Sequence, residues 1–257
     1  DGNIIIGTVG GGLNIFNPTT KVFKSFKNNI QDVNSISSNS VWCLYRDESG
    51  LIWIGTDRGV NYYKADLMRF KTEEPFISSA DNLSNTNTYC FFEDKEKNMW
   101  MGVLGSGIIV KNDAGNIVAT YTMSNGLSDN SVFSIMQDND GVIWVGTFNG
   151  LNAIDKKTNT IKQFKNEKGN ASSLSDNNIR CIAADNKNNL WIGTFGGGLN
   201  KFNKATGTFT NHKHNPTNSA SISSDIITSV FIDGDKIYVG TYGGGLSMFD
   251  AAKNNFT

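Results

Sequence analysis

The chain has 257 residues, with 23 Lys plus Arg against 24 Asp plus Glu, a formal charge of −1 at pH 7. It lacks the polybasic footprint of nucleic-acid and anionic-membrane binders, and it has no apolar run of the ~18 residues a spanning helix needs. Charged residues are only 18%, while Gly (27) and Asn (34) are abundant and Pro (3) is scarce, a composition that favours many tight turns and few exposed helices.

The chain opens at Asp1-Gly2-Asn3 without a signal-peptide pattern, so it reads as a piece cut from a longer protein. Residues 1–30 supply three strand-like runs, with nothing resembling Val41-Trp42-Cys43-Leu44 ahead of Ile4. The second unit, 36–76, has four: Val41–Arg46, Leu51–Thr56, Val60–Tyr63 and Arg69–Thr72, the first two joined by the turn cluster Asp47-Glu48-Ser49-Gly50. Units of the same pattern follow at 83–123, 127–166, 174–213 and 222–257, the last ending within its fourth run. Short runs rich in Val, Ile, Trp, Tyr and Phe, bounded by Gly, Asn, Asp and Ser, are strands joined by hairpin turns. Sustained helical spacing is absent.

Within the units one string recurs: Ile5-Ile6-Gly7-Thr8, Trp53-Ile54-Gly55-Thr56, Trp100-Met101-Gly102-Val103, Trp144-Val145-Gly146-Thr147, Trp191-Ile192-Gly193-Thr194 and Tyr238-Val239-Gly240-Thr241. Its glycines are spaced 48, 47, 44, 47 and 47 residues apart. Four antiparallel strands per repeat of this length is the blade of a β-propeller. The predicted fold is therefore all-β, one propeller domain over 1–257 with six units. Because the first unit lacks its inner strand, the ring is expected to be incomplete and its open edge to need a strand from elsewhere.

The conspicuous residues mostly read as scaffold. The Trp column is expected to pack blade against blade, and the Gly two positions on to admit a neighbouring backbone. Cys43, Cys90 and Cys181 share a column with Ser134 and Ser229, which predicts small, buried, reduced residues too far apart for a disulfide. Asp138-Asn139-Asp140-Gly141 starts like a calcium loop but lacks the later Glu, so a hairpin turn is the simpler reading. His212 and His214 fall in a late loop without Cys or carboxylate partners, which gives no metal site. The triple glycines at 10–12, 196–198 and 243–245 precede no helix and are not a phosphate loop; positive φ and a close approach to the ring centre explain them. No Ser-His-Asp set, metal triad or nucleophile elbow is present, and no cofactor is implied.

The unit running from Asn-Ser-Val through Asp-x-x-Gly-x-Ile-Trp-Ile-Gly-Thr-x-x-Gly-Leu-Asn-x-Phe closely resembles the two-component regulator propeller repeat. Residues 130–152 and 172–200 carry it best, and Ile5, Tyr238 and Val103 depart from it. The resemblance implies the periplasmic sensor region of a hybrid two-component histidine kinase. There, paired propellers, commonly seven-bladed, precede a membrane helix and kinase modules, and the receptor acts as a homodimer that senses oligosaccharides. Membrane contact would come only through the parent chain, and the fragment itself is expected not to be an enzyme. A protein-interaction scaffold and a propeller lyase or hydrolase are the other two function classes.

A ligand is expected on the face that gathers the loops between blades and the loops between second and third strands. The column inside the inner strand reads Trp42, Tyr89, Phe133, Arg180 and Thr228, and the loops add Asp57, Arg58, Phe148, Asn149, Phe195 and Tyr242. Aromatic faces beside Arg, Asp and Asn suit a sugar, through stacking and directed hydrogen bonds, and an Arg can fork onto a uronate or sulfate. Arg58, Arg180, Phe148, Asn149 and Tyr242 lead this set, since a channel-facing guanidinium needs a partner.

Overall fold

The fold is taken from a computed structural model, which describes residues 2–64, 69–73, 87–251 and 253–257. The architecture is an all-β propeller, each sheet one blade. The first blade is three-stranded, β1 (Ile4–Thr8), β2 (Gly12–Asn17) and β3 (Val22–Phe26). The others are four-stranded and antiparallel: β4 (Val41–Arg46) to β7 (Arg69–Glu73), β8 (Thr88–Glu93) to β11 (Ile117–Tyr121), β12 (Val132–Gln137) to β15 (Thr160–Phe164), β16 (Ile179–Ala184) to β19 (Thr208–His212), and β20 (Ile227–Asp233) to β23 (Asn255–Phe256). The limits at 76 and 83 proposed for the second and third units fall outside the described residues. Residues 1–120 and 121–257 form two compact units.

Within each unit successive blades pack through one recurring contact. The repeat glycine faces the first inner-strand residue of the next blade: a Cβ on Gly7 would collide with Val41, and on Gly146 it would lie 2.5 Å from Cγ2 of Ile179. Gly193 is hemmed in by Cys181 of its own blade and Ile227 of the next, each 2.5 Å from such a Cβ. The glycine is thus a consequence of inter-blade distance, as its column suggested, although the close neighbour is largely a β-branched side chain rather than backbone alone. Leu151, Leu174, Ile179, Leu190 and Ile192 fill the interface between the fourth and fifth blades with zero exposure. Each such side chain contributes about 1.5–3 kcal/mol over its exposed state.

The tryptophans do pack across blades, with ring centroids 5.6 Å apart for Trp144 and Phe202 and 5.1 Å for Trp191 and Phe249. They also do something the repeat alone did not reveal. In the repeat column each indole N–H donates to Oδ2 of the hairpin-turn aspartate: Trp53 to Asp47 (2.8 Å), Trp100 to Asp94 (2.9 Å), Trp144 to Asp138 (2.7 Å) and Trp191 to Asp185 (3.1 Å). The other oxygen of each aspartate accepts the backbone N–H four residues on, at Leu51, Asn98, Val142 and Asn189. One carboxylate therefore closes the turn and satisfies the buried indole, which accounts for the fixed Asp-to-Trp spacing. At the calcium-like turn, Lys204 of the next blade donates to Asp138 (2.6 Å) and Asp140 (2.5 Å), so both carboxylates are held by a lysine.

The cysteines are free thiols; Cys90 is buried, whereas Cys43 and Cys181 are half-buried residues rather than fully buried ones. Burial nevertheless pushes the thiols of Cys90 and Cys181 up to about 12, and the Cys43 thiol donates to the Thr88 carbonyl of the neighbouring blade (3.4 Å). His212 is not in a loop but ends strand β19, stacked 5.9 Å from Trp191 and packed on Phe249 and Phe256. The sequence expectation failed there because a histidine ring fills an aromatic strand position as well as a phenyl does. The triple glycines have the expected positive φ, +76° at Gly12 and +78° at Gly198. Gly12 and Gly198 closely approach the carbonyls of Phe26 and His212, at the end of the outer strand of their own blade. Gly12 begins, and Gly198 immediately precedes, the strand that pairs with that outer strand, and this places each there.

Candidate ligand site

At the loop end of each blade, most polar repeat residues are consumed by the fold. In the fourth blade Ser128 N–H donates to Asn152 Oδ1 (2.9 Å), Asn152 Nδ2 donates to Ser128 Oγ (2.8 Å), and the Ser128 and Thr147 hydroxyls meet at 2.8 Å. The same triad forms in the second blade from Ser37, Asn61 and Thr56, and in the sixth from Ser223, Ser247 and Thr241. The Leu-Ser, Gly-Thr and Leu-Asn strings of the repeat are one buried polar network that joins the incoming loop to the second and third strands. Its members are spent on the scaffold.

Two variable positions are left over. The first is the inner-strand column Trp42, Tyr89, Phe133, Arg180 and Thr228. In all five inner strands the register slips across this residue, between Val41 and Cys43, Thr88 and Cys90, Val132 and Ser134, Ile179 and Cys181, and Ile227 and Ser229. A β-bulge adds a residue without a cross-strand partner and re-aims its side chain, which frees this column from the core. Consecutive members touch. Trp42 and Tyr89 lie 5.4 Å apart in the first unit; in the second, the Arg180 guanidinium sits over the rings of Phe133 (4.1 Å) and Phe195 (4.7 Å). Arg180 thus has aromatic partners, an arrangement worth about 0.5–2 kcal/mol depending on desolvation.

The second position is the loop after the repeat Thr. Arg58 is exposed, and its backbone N–H caps onto Thr56 Oγ1 (3.1 Å), as Asn149 does onto Thr147 (3.2 Å). Asp57 is half-buried and its Oδ1, though shielded from solvent, receives no hydrogen bond. Phe148, Phe195 and Tyr242 are 55%, 46% and 70% exposed, far more than an aromatic in a core.

In the second unit these loops enclose an open pocket of about 540 Å³, lined by Phe148, Asn149 and Phe195 together with Asp129, Asn166, Asp176, Asn177 and Asn178. Three of the anticipated residues therefore meet, with Arg180 behind Phe195. Tyr242 is outside this lining, and Trp42, Tyr89, Asp57 and Arg58 belong to the other unit. The sequence reading pointed to the Leu-Ser-Asp-Asn loops but did not single out Asp129 and Asp176. The signal was present: the position after the repeat Ser is Ser38 in the second blade and Ser224 in the sixth, and Asp only in the loops that border the pocket.

The sequence model of the two-component regulator propeller matches residues 35–58, 82–105, 126–149 and 173–196. Four of the chain's six units carry the two-component regulator propeller repeat. Each matched segment runs through the inner strand and its bulge to just past the Trp-x-Gly string, whereas the network asparagines Asn61, Asn152 and Asn200 lie a few residues beyond. This regulator propeller is similar over its whole length, at 28% identity and a TM-score of 0.78, to the extracellular domain assigned to the hybrid two-component system BT3049 of B. thetaiotaomicron. It spans about a third (32%) of that domain. The corresponding domain of the BT4673 system from the same organism is 18% identical over 99% of the regulator propeller and 39% of its own length (TM-score 0.64). A virginiamycin B lyase of Staphylococcus aureus is 14% identical over 93% of this chain and 73% of its own (TM-score 0.66); these last two share the fold. No curated protein sequence matches the regulator propeller. No helix among the described residues is long and apolar enough to cross a membrane.

Proposed function

We propose that this chain is part of the ligand-sensing, extracytoplasmic region of a hybrid two-component receptor, that it lies in the periplasm, and that it binds an oligosaccharide or relays its binding to a kinase in the same, homodimeric parent. The observation that carries the sensor reading is the 28% identity along the entire chain to the extracellular domain of such a system. The pocket of the second unit supports a saccharide ligand. Phe148 and Phe195 offer exposed ring faces for the C–H face of a pyranose, and Asn149, Asn166, Asp129 and Asp176 offer directed hydrogen-bonding groups at its rim. A few fixed polar groups around apolar faces is the usual composition of a small-ligand site. The repeat strings supply rigid strands beneath the site, and the loops supply its specificity. A thermal-shift screen of oligosaccharide pools against the complete ectodomain tests the reading. A rise in Tm with one pool, lost in Phe148→Ala/Phe195→Ala, is the expected result. A co-purifying protein with no saccharide response would instead favour an interaction scaffold, and release of new reducing ends would make the chain an enzyme.

A further inference from the structure

The pocket of the second unit has a charge character that the repeat does not require. Asp129 and Asp176 occupy the same place in consecutive interblade loops, and each spends one oxygen on its own turn: Oδ1 of Asp129 accepts Ser131 N–H (2.7 Å), and Oδ1 of Asp176 accepts Asn178 N–H (2.8 Å). In the second and sixth blades that cap is made by a hydroxyl, Ser38 Oγ taking Ser40 N–H (3.1 Å) and Ser224 Oγ taking Ile226 N–H (3.2 Å). A serine therefore suffices for the turn. What the two aspartates add is a second carboxylate oxygen apiece, Oδ2, which accepts no hydrogen bond among the described residues, and one negative charge apiece. Both side chains line the same 540 Å³ space, whose lining includes no Lys or Arg. Asn178, in that lining, has a carbonyl oxygen Oδ1 that is buried from solvent and receives no hydrogen bond. Lys165 and Lys168 lie in the same interblade loop as Asp176 but outside the pocket lining, and Arg180 has its guanidinium over Phe133 and Phe195.

We infer that this pocket selects hydroxyl-rich ligands without an anionic group, and favours an amine-bearing sugar over a neutral one, while rejecting uronates and sulfated sugars. The inference rests on the proposed saccharide reading and narrows it. It also reverses the simplest expectation from sequence, in which an arginine forks onto an acidic sugar. Two carboxylates whose free oxygens are acceptors only will take hydroxyl or ammonium donors. They repel a ligand carboxylate or sulfate, which adds a third negative charge at short range in a partly desolvated site. The aromatic faces of Phe148 and Phe195 are indifferent to ligand charge, so the aspartates decide the class.

The test is calorimetric titration of the full chain with three pools of matched length: chitosan, cellulose-type neutral and galacturonate oligosaccharides. The expected order is amine-bearing first, neutral next, and uronate at least tenfold weaker than neutral. In Asp129→Asn/Asp176→Asn, which keeps the turn-capping oxygens, the amine advantage should disappear and the uronate penalty should shrink several-fold. Asp129→Ser/Asp176→Ser, which installs the residue of the other blades, should behave alike if folding is a concern. Uronate binding equal to or tighter than neutral, abolished by Phe148→Ala/Phe195→Ala, would overturn the charge inference and leave the saccharide reading standing. An unchanged order in the aspartate variants would do the same. Failure of all three pools to bind would remove the saccharide reading itself, and the inference with it.

Discussion

Asp138 and Asp176 belong to neighbouring blades of one unit, yet they sit at opposite ends of the blade and carry opposite lessons. Asp138, at the hairpin turn, is saturated: it accepts the indole N–H of Trp144, the backbone N–H groups of Val142 and Asp140, and the ammonium of Lys204. Its side chain has no exposure. Asp176, at the loop end, accepts one backbone N–H and has an oxygen to spare. A carboxylate whose hydrogen-bonding capacity is used up is part of the scaffold, since any ligand would have to displace a partner. One with capacity left over, facing a pocket, is available for binding. In this fold the distinction separates two ends of a repeat that look equally polar in sequence.

The largest effect that sharpens the contrast is Asp138→Ala. It strands a buried indole N–H and two turn amides and leaves Lys204 with Asp140 alone, and should cost about 3–5 kcal/mol, as breaking a buried charged pair does. Urea denaturation of the variant measures it, and a loss below about 1 kcal/mol would mean the turn finds other partners. Next comes Gly193→Ala. Its φ is not positive, so the cost is steric alone: the new methyl must displace the Cys181 thiol and Ile227, an overpacking penalty of roughly 1–3 kcal/mol. The same substitution at Gly234, a turn with nothing within 4 Å but φ +60°, isolates backbone strain from crowding.

A smaller, pH-dependent term comes from His212. Burial, aided by the Lys201 charge, lowers its pKa below the ordinary 6.5. The unfolded chain therefore takes up a proton before the folded one, so the stabilisation is full above that value and is lost as pH falls from about 6.5 toward the lower folded value. Denaturation midpoints at pH 8 and pH 5 should show this slope, and His212→Phe, which restores the phenyl that β15 carries as Phe164, should flatten it. The smallest effect on stability is predicted for Asp176→Ser. The hydroxyl keeps the turn cap, so unfolding should shift by no more than about 0.5 kcal/mol, in contrast to Asp138→Ala. A loss comparable to that of Asp138→Ala would erase the distinction between the two ends.

Much of the fold was legible because a propeller repeats its constraints. A glycine that must admit the next blade, an aspartate that must serve the indole and a serine that must meet an asparagine recur at about 47-residue spacing, so period and strand count could be read directly from the chain. The loop positions that vary between blades were legible as candidates for the same reason. Their grouping was not. Phe148, Asn149 and Phe195 share a pocket while Tyr242 lies outside its lining, and no periodicity states which loops converge. The bulge beneath Arg180 was equally hidden, because an unpaired residue leaves no mark on the hydrophobic pattern. So was the packing of Arg180 on two phenyl rings. Repeat spacing is set by local strand pairing and by the nearest blade, and sequence records both. Which leftover oxygen faces a pocket depends on how each turn's hydrogen bonds are finally shared out, and that only the packed structure decides.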